Sequence, residues 1–214
     1  MSIAAEQALS GEEQDILQEL MNIAFGRASA DLAEVIDTYV VLNVPEVRTL
    51  KVVDLPEFIS TEISDHDIIS IVEQSYLGRF KGVALLIFPS GAGRELLKLF
   101  GDNVEDYGED VSMAALEKES ILEVSNILIG ACVGKVVELL DDEVSFSPPR
   151  IIIEDHPRNA IPCEIFEPDS LATVMRTVFQ FSDRNISGYL FLINSNESFQ
   201  WLKKALNRFM EQYE

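Results

Sequence analysis

The chain has 214 residues, 47% of them hydrophobic, and its 37 acidic and 16 basic residues give a formal net charge of −21. This length suits one large domain or two small ones, and the apolar content is enough for a buried core. The charge would repel phosphate backbones and anionic lipids, so nucleic acid and membrane are poor candidate partners, and a protein with a basic face is favoured.

The first predicted element is a long helix. Residues 10–13 read S-G-E-E, a capping-box pattern, so a helix is predicted from near residue 11 to about residue 37. At about 100° per residue, Asp15, Glu19 and Asn22 lie within about 60° of one another, and we call these three residues the first stripe. The apolar residues lie on the other side, so the first stripe is predicted to point outward. That apolar side consists of Ile16, Leu17, Leu20, Ile23 and Ala24.

Short apolar runs separated by turn residues follow this helix. Pro45 closes the first strand, and a short helix is predicted over 94–100, after the Gly-rich residues 89–93. That turn is neither a P-loop nor a complete G-x-G-x-x-G, so an ordinary helix start is favoured over a phosphate site. Strands are predicted at 38–42, 49–55, 66–72 and 82–88, the last two as an antiparallel pair.

The second half repeats this order of elements. Residues 101–110 are acidic and contain two glycines, which indicates a linker. A second long helix is predicted over 112–140, and an amphipathic helix over 198–213 closes the chain. Strands between them are predicted at 144–146, 150–154, 173–181 and 188–193.

The second helix carries a second stripe, formed by Glu119, Glu123 and Asn126 at the spacing of the first. A shift of 104 positions lays residues 15–45 over 119–149, and a shift of 106 lays 82–88 over 188–194. One exposed Glu/Asn pair is explained by a solvated helix face, whereas a second copy at the same spacing favours a functional surface. Each Asn is followed four positions on by a glycine, and 22 residues separate each Asn from a proline; these residues are Gly26, Gly130, Pro45 and Pro149.

These repeats predict the fold class. We expect an α+β protein with mostly antiparallel strands, in which residues 1–214 form one tandem-duplicated domain with pseudo-two-fold symmetry. Repeat 1 covers about 10–100 and repeat 2 about 111–214, on either side of the 101–110 linker. The two long helices carry the candidate sites.

Cysteine and histidine indicate neither a disulfide nor a metal site. Cys132 and Cys163 lack C-x-x-C or Cys/His spacing and are predicted to be buried, reduced thiols of a cytoplasmic protein. His66 and His156 are predicted to be surface or capping residues. The N-terminal residues lack the pattern of a signal peptide or a membrane span, so membrane insertion is not expected.

The two stripes resemble a known motif. The order acidic residue or Ser, three residues, Glu, two residues, Asn, about 22 residues and Pro is similar to that of the CheC/CheX/FliY family of chemotaxis phosphatases. Two copies in a chain of this length, without a further domain, resemble the CheC arrangement most. Glu119 departs from the pattern, because the family mostly has Asp or Ser at that position.

The resemblance implies an enzyme that hydrolyses the aspartyl phosphate of the response regulator CheY. By analogy, Asn22 and Asn126 hold the attacking water, and Glu19 and Glu123 pair with the conserved lysine of the receiver domain. The protein would need no cofactor of its own, because Mg²⁺ would be bound by the receiver. Residues in supporting roles would be Asp15, Glu119, Gly26, Gly130, Pro45 and Pro149.

Two other functions remain open at this point. The protein could be a non-catalytic regulator of adaptation that binds phosphorylated CheY or the deamidase CheD. It could also be a structural part of the flagellar switch, although the chain lacks room for a switch-type domain. If it is a phosphatase, the two sites are expected to differ in strength.

Overall fold

The structure is a computed structural model that describes residues 9–63, 69–98, 112–154, 170–182 and 186–211. These residues form five helices and one eight-stranded antiparallel sheet, which confirms the α+β class. The elements are α1 Gly11–Ile36, β1 Val40–Leu42, β2 Glu46–Lys51, α2 Leu55–Glu62, β3 Ile69–Gly78, β4 Gly82–Pro89, α3 Ala92–Leu97, α4 Met113–Leu139, β5 Val144–Phe146, β6 Arg150–Glu154, β7 Leu171–Phe181, β8 Ile186–Ser195 and α5 Asn196–Glu211.

The strand order places the two halves on either side of the middle of the sheet. It runs β1-β7-β8-β4-β3-β5, with β2 also paired to β7 and β6 also paired to β3. If each strand of the first half is exchanged with its counterpart in the second half, β1 with β5 through β4 with β8, the same strand order results, read in the opposite direction. The two central strands are β4 and β8. This order is consistent with a pseudo-two-fold arrangement; the duplication of the sequence stays a prediction.

The sheet separates two apolar clusters, because alternate side chains of a strand point to opposite faces. The larger cluster lies between the sheet and helices α1, α4 and α5. The smaller one lies on the opposite face, where α2 packs against β3, β4, β7 and β8. Both long helices therefore share one layer and one core.

The long helices begin and end close to their predicted positions. In α1 the Ser10 hydroxyl accepts a hydrogen bond from the Glu13 amide, and the Glu13 carboxylate accepts one from the Ser10 amide, which confirms the capping box. Asp37 and Asp141, which correspond under the shift of 104, adopt the left-handed conformation just after the two helices. Such a residue stops a helix and redirects the chain toward the sheet.

Among the described helices, α4 is long and apolar enough to cross a membrane by length and composition. However, 56% of the 18-residue apolar stretch of α4 that meets this criterion is buried inside the structure. The core helix of a globular protein has the same composition, because it is covered on most sides. The apolar character of α4 is therefore explained by its place in the core.

The predicted strand 49–55 is wrong at its C-terminal end. The strand ends at Lys51, a 3₁₀ turn covers Val52–Asp54, and α2 follows. Pro56 is tolerated in the first turn of α2, where its missing N–H has no helical partner to lose. Leu55, Ile59 and Ile63 are buried at the four-residue spacing of a helix face. The burial of this face outweighs the strand propensity of the β-branched residues Val52 and Val53.

The remaining predicted elements are present, with small changes at their ends. The largest change is in β3, predicted over 66–72, which continues to Gly78 and pairs with β4 from Ile69↔Pro89 to Tyr76↔Gly82. The Gly-rich turn after β4 is an ordinary helix start, with Gly91 in the left-handed region before α3. Three predictions lie outside the described residues: the 101–110 linker, the two histidines and Cys163.

A first prediction concerns the start of α1. Burial alone would raise the pKa of the Glu13 carboxyl, but hydrogen bonds from the Ser10 amide and Lys203 lower it below its ordinary 4.5. A lowered pKa contributes stability that is present above pH 4.5 and is lost as the pH falls further. Glu13→Gln, which keeps the hydrogen-bond acceptor, should lower the free energy of unfolding by about 0.5 kcal/mol at pH 7.

Urea denaturation of both proteins between pH 7 and pH 3 measures this effect. The stability difference should shrink as the pH falls below 4.5. A difference that is independent of pH would show that the negative charge of Glu13 contributes nothing to the cap.

Candidate functional site

The first stripe lies on the solvent side of α1, as predicted. Asp15, Glu19 and Asn22 are all exposed, while the opposite side of the helix enters the larger core. Leu17, Leu20 and Ala24 are fully buried, whereas Ile16 and Ile23 are partly buried at the boundary. The burial of this face fixes the rotation of α1 and holds the stripe outward.

The second stripe has the same disposition on α4. Glu119, Glu123 and Asn126 are exposed. On the buried side, Ser120 and Ser125 donate hydrogen bonds to the carbonyl oxygens of Leu116 and Ile121, at 2.9 and 2.6 Å. These hydroxyls therefore enter the core without an unpaired donor.

The carboxylates of the stripes differ from nearby acidic residues in having no salt-bridge partner among the described residues. Two residues before each stripe, Glu13 pairs with Lys203 at 3.0 Å and Glu117 pairs with Arg94 at 3.2 Å. In the part of the chain that the structure describes, no salt bridge reaches the four stripe carboxylates, which are Asp15, Glu19, Glu119 and Glu123. The stripes thus present charge that is available to a basic group of a partner.

The glycine beyond each Asn leaves open space at the helix surface. A Cβ atom added to Gly26 or Gly130 would meet no atom within 4 Å outside its own helix. No neighbouring element of the described structure therefore requires glycine there. Its effect is to lower the surface next to each Asn, which allows another molecule to approach the backbone closely.

The two site helices are joined by an ion pair. Lys135 of α4 lies 2.9 Å from Asp31 of α1 and 3.0 Å from Glu138. Hydrogen bonds to these two carboxylates raise the pKa of Lys135, so it stays charged across the physiological range. Positions 31 and 135 correspond under the shift of 104, so the helices touch at equivalent points.

Cys132 is the one thiol among the described residues, and it lies inside α4. It is free and fully buried, as predicted, and burial raises the pKa of its thiol. A protonated thiol without access to solvent is not a nucleophile. The exposed functional groups of the two stripes are therefore carboxylates and amides, and Cys132 is not one of them.

Sequence reasoning missed one residue that contacts the second stripe. Gln74 of β3 is 1% exposed, and its Nε2 donates hydrogen bonds to Oδ1 of Asn126 at 2.8 Å and to the carbonyl oxygen of Ser147 at 2.9 Å. The prediction ended β3 at Val72, so Gln74 fell outside the strand. A polar residue in the inward-facing row with Val72 and Tyr76 was the available signal.

The first stripe has no equivalent contact. No hydrogen bond from the described residues reaches the side chain of Asn22. On β7, Thr177 donates its hydroxyl to the carbonyl oxygen of Asn43 at 2.5 Å, but the hydroxyl makes no bond to Asn22. The two stripes therefore share residue types and differ in how their Asn side chains are held.

The two candidate prolines lie in loops tied to the sheet. Pro45 is buried between β1 and β2, and Pro149 is partly buried between β5 and β6. The amide of Asn43 bonds to the carbonyl of Val178, and the amide of Ser147 bonds to the carbonyl of Ser75. Each proline thus stiffens a loop that is anchored beside the layer of long helices.

Comparison with known proteins identifies the fold. No protein-family model matches the sequence. The structure is similar to the crystal structure of Thermotoga maritima FliY, with a TM-score of 0.70 and 18% identity over 94% of this chain and 99% of that one. The chain has the CheC/CheX/FliY fold.

Two further solved structures share the CheC/CheX/FliY fold. CheX from Desulfovibrio desulfuricans gives a TM-score of 0.50 at 15% identity, covering 82% of this chain and 99% of that one. FliM from H. pylori, crystallised as a complex with FliG, gives 0.54 at 13% identity, covering 89% and 98%. At these identities the likeness establishes the fold, and the roles of individual residues have to be argued from the site.

Proposed function

We propose that the protein is a phosphatase that removes the aspartyl phosphate from the chemotaxis response regulator CheY. The observation that supports this most is the pair of exposed stripes, in each of which an Asn lies next to carboxylates that form no salt bridge with any described residue. The CheC/CheX/FliY fold adds support, because it places both stripes on rigid helices rather than on loops. A merely solvated surface would not need to keep the Glu, the Asn and the downstream proline at one spacing in both halves, while other corresponding positions such as Phe25 and Ile129 differ.

The reaction is the attack of water on phosphorus with loss of the aspartate oxygen. The P–O bond to the receiver's aspartate breaks, and a free carboxylate and inorganic phosphate are released. Such transfers depend mainly on positioning and charge stabilisation. The Asn22 and Asn126 amides both donate and accept hydrogen bonds, so each would hold a water in line with the phosphorus.

The Glu of each stripe would fix the docking of the receiver. Glu19 and Glu123 each precede an Asn by three residues and lie on the same face of the helix. A free carboxylate there would pair with the receiver's conserved lysine and set the distance from the amide to the phosphorus. Mg²⁺ would arrive with the receiver as part of the substrate.

The other stripe residues would support this docking in a cytoplasmic protein. Asp15 and Glu119, one turn before each Glu, would orient the stripe rather than react. Pro45 and Pro149 would keep the neighbouring loops fixed. The negative charge of the whole chain would speed the approach of a receiver through its basic face.

The decay of phosphorylated CheY, followed with and without the protein, tests this proposal. We expect catalytic amounts of the protein to accelerate the release of phosphate over several turnovers. If the protein binds phosphorylated CheY without changing its decay, the phosphatase proposal is wrong and a binding role replaces it.

A further prediction separates the docking surface from the fold. Gly26→Ala with Gly130→Ala should raise the free energy of unfolding by up to about 1 kcal/mol per site, because alanine loses less backbone entropy in a helix. The same methyl groups would stand where the receiver approaches, so KM for phosphorylated CheY should rise several-fold. Urea denaturation and steady-state kinetics of the double variant measure the two effects. A more stable variant with an unchanged KM would mean that the receiver does not pass over these glycines.

The likeness to FliM favours a second candidate function. The same fold occurs in an H. pylori protein bound to FliG, so the fold also serves protein association. In this reading the chain would be a non-catalytic regulator that binds phosphorylated CheY or CheD, or a part of the flagellar switch. Pull-down of CheY, CheD and motor proteins with the intact chain, combined with the decay assay, distinguishes these roles from the phosphatase.

A further inference from the structure

The side chain of Gln74 connects the core of the sheet to the second stripe. It is almost completely buried on β3, and one nitrogen, Nε2, donates to both Asn126 Oδ1 and the Ser147 carbonyl. A side-chain amide carries two hydrogens, so one nitrogen serves two acceptors. Asn126 is therefore bonded to a residue that cannot move without disturbing the core.

This network also fixes which way the Asn126 amide points. The Ser147 carbonyl is a backbone acceptor, so the Gln74 atom that faces it has to be the NH₂ group. The same nitrogen faces Asn126, and that contact requires the oxygen of the Asn126 amide. Asn126 consequently has its Oδ1 directed at Gln74, and its Nδ2 remains available on the exposed surface.

The corresponding residue of the other half is Thr177. Tyr76 pairs with Gly82 in the β3–β4 hairpin, and Phe179 pairs with Gly188 in the β7–β8 hairpin. A Cβ on either glycine would collide with the ring of its partner, so the two aromatic residues occupy equivalent positions. Two residues earlier on each strand stand Gln74 and Thr177.

Thr177 shows what the fold requires at this position. Its hydroxyl donates to the carbonyl of Asn43, which corresponds to Ser147 under the shift of 104. A short side chain therefore satisfies the loop carbonyl. The longer Gln74 adds the bond to Asn126 and leaves its own Oε1 buried without a partner among the described residues. Among the described contacts, the bond to Asn126 is what the longer side chain adds.

We infer that Gln74 is a positioning residue that holds Asn126 ready for the reaction and makes the second site the faster of the two. This inference rests on the proposed phosphatase function. Asn126 is already ordered in the docked complex, whereas Asn22 keeps its rotamer freedom there and has to give it up as the transition state forms. The difference corresponds to a rate advantage of about fivefold for the second site.

The kinetic test isolates the second site by working in an Asn22→Ala background. Gln74→Thr keeps a donor for the Ser147 carbonyl, as Thr177 does in the other half, but is too short to reach Asn126. It should lower kcat about fivefold and leave KM for phosphorylated CheY unchanged, because Glu123 still docks the receiver. An unchanged kcat would overturn the inference.

Two controls separate positioning from general disturbance of the strand. Thr177→Val removes the equivalent loop bond beside the first site without touching either Asn, and in an Asn126→Ala background it should leave kcat of that site unchanged. Gln74→Met, which is close in size, replaces Gln74→Thr if the latter is poorly folded. If Thr177→Val lowers kcat as much as Gln74→Thr does, loosening of the loops explains the effect and the inference is wrong.

A measurement on the resting protein keeps the inference distinct from the proposed function. NMR relaxation of ¹⁵N-labelled side-chain amides should show Asn126 more rigid than Asn22, and Gln74→Thr should remove that difference. Equal mobility of the two amides in the unsubstituted protein would overturn the inference. If the protein does not accelerate the decay of phosphorylated CheY at all, the proposed function and the rate advantage both fail, while the NMR result still decides whether Gln74 holds Asn126.

Discussion

Replacing both stripe amides, Asn22→Ala with Asn126→Ala, should return the decay of phosphorylated CheY to its intrinsic rate. Water then has no group to hold it in line with the phosphorus, and losing one positioned hydrogen-bonding group of this kind lowers kcat by roughly 100-fold or more. Both side chains are exposed on helices, so alanine at either position leaves the core intact and is the better helix former. The change should therefore affect turnover and leave the free energy of unfolding nearly unchanged.

A matched pair of substitutions controls for a general effect on the helix surfaces. The control is Glu34→Gln with Glu138→Gln. These two residues occupy corresponding positions of α1 and α4, are exposed, and lie more than one helical turn beyond the stripes. This pair should retain the activity of the unsubstituted protein. Equal decay rates with the double Asn variant and with the unsubstituted protein would refute the assigned role of the amides.

Gly188→Ala should destabilise the protein by about 3 kcal/mol or more. Gly188 is buried at the β7–β8 hairpin, and an added Cβ would lie 2.6 Å from Cζ of Phe179 and would also meet the carbonyl oxygen of Ile87. The carbonyl belongs to β4, the central partner of β8, so relief requires the two middle strands to separate. The strain would therefore fall where the halves are joined.

Urea denaturation measures the loss, with Gly134→Ala as the control. A Cβ at Gly134, in the C-terminal part of α4, would meet no atom within 4 Å outside its own helix, so this change should stabilise the protein by about 0.5–1 kcal/mol. If Gly188→Ala is as stable as the unsubstituted protein, the sheet adapts locally and glycine at position 188 is not needed for the pairing of β4 with β8.

Features with a local cause were predictable from the sequence. The capping box of α1 and its 3.6-residue periodicity predicted the helix and the outward stripe, because the propensity of the residues and the burial of one face agree. The antiparallel pairing of β3 with β4 was predictable for the same reason, since their apolar runs are separated by a short turn, and β7 and β8 were predicted as strands without their pairing. The stripes were recognisable because their spacing is fixed within one helix.

Features that depend on distant contacts were not predictable. Val52 and Val53 favour a strand locally, yet α2 forms beside them because Leu55 and Ile59 find an apolar face of the sheet. The pairing of β4 with β8 joins residues about 100 positions apart, and no local pattern specifies it. Gln74 acquires its role only when β3, α4 and the loop at Ser147 meet.

The edges of the sheet determine how this protein meets other chains. Both edges begin with strands of three residues, β1 and β5, and continue in strands with charged residues at or near both ends: Glu46, Arg48 and Lys51 in β2, and Arg150 and Glu154 in β6. Short, charged edges are poor templates for an added strand, so an eight-stranded sheet of this kind resists edge-to-edge aggregation. Recruitment of a partner by strand addition is disfavoured for the same reason, which agrees with the docking surface proposed on the two long helices.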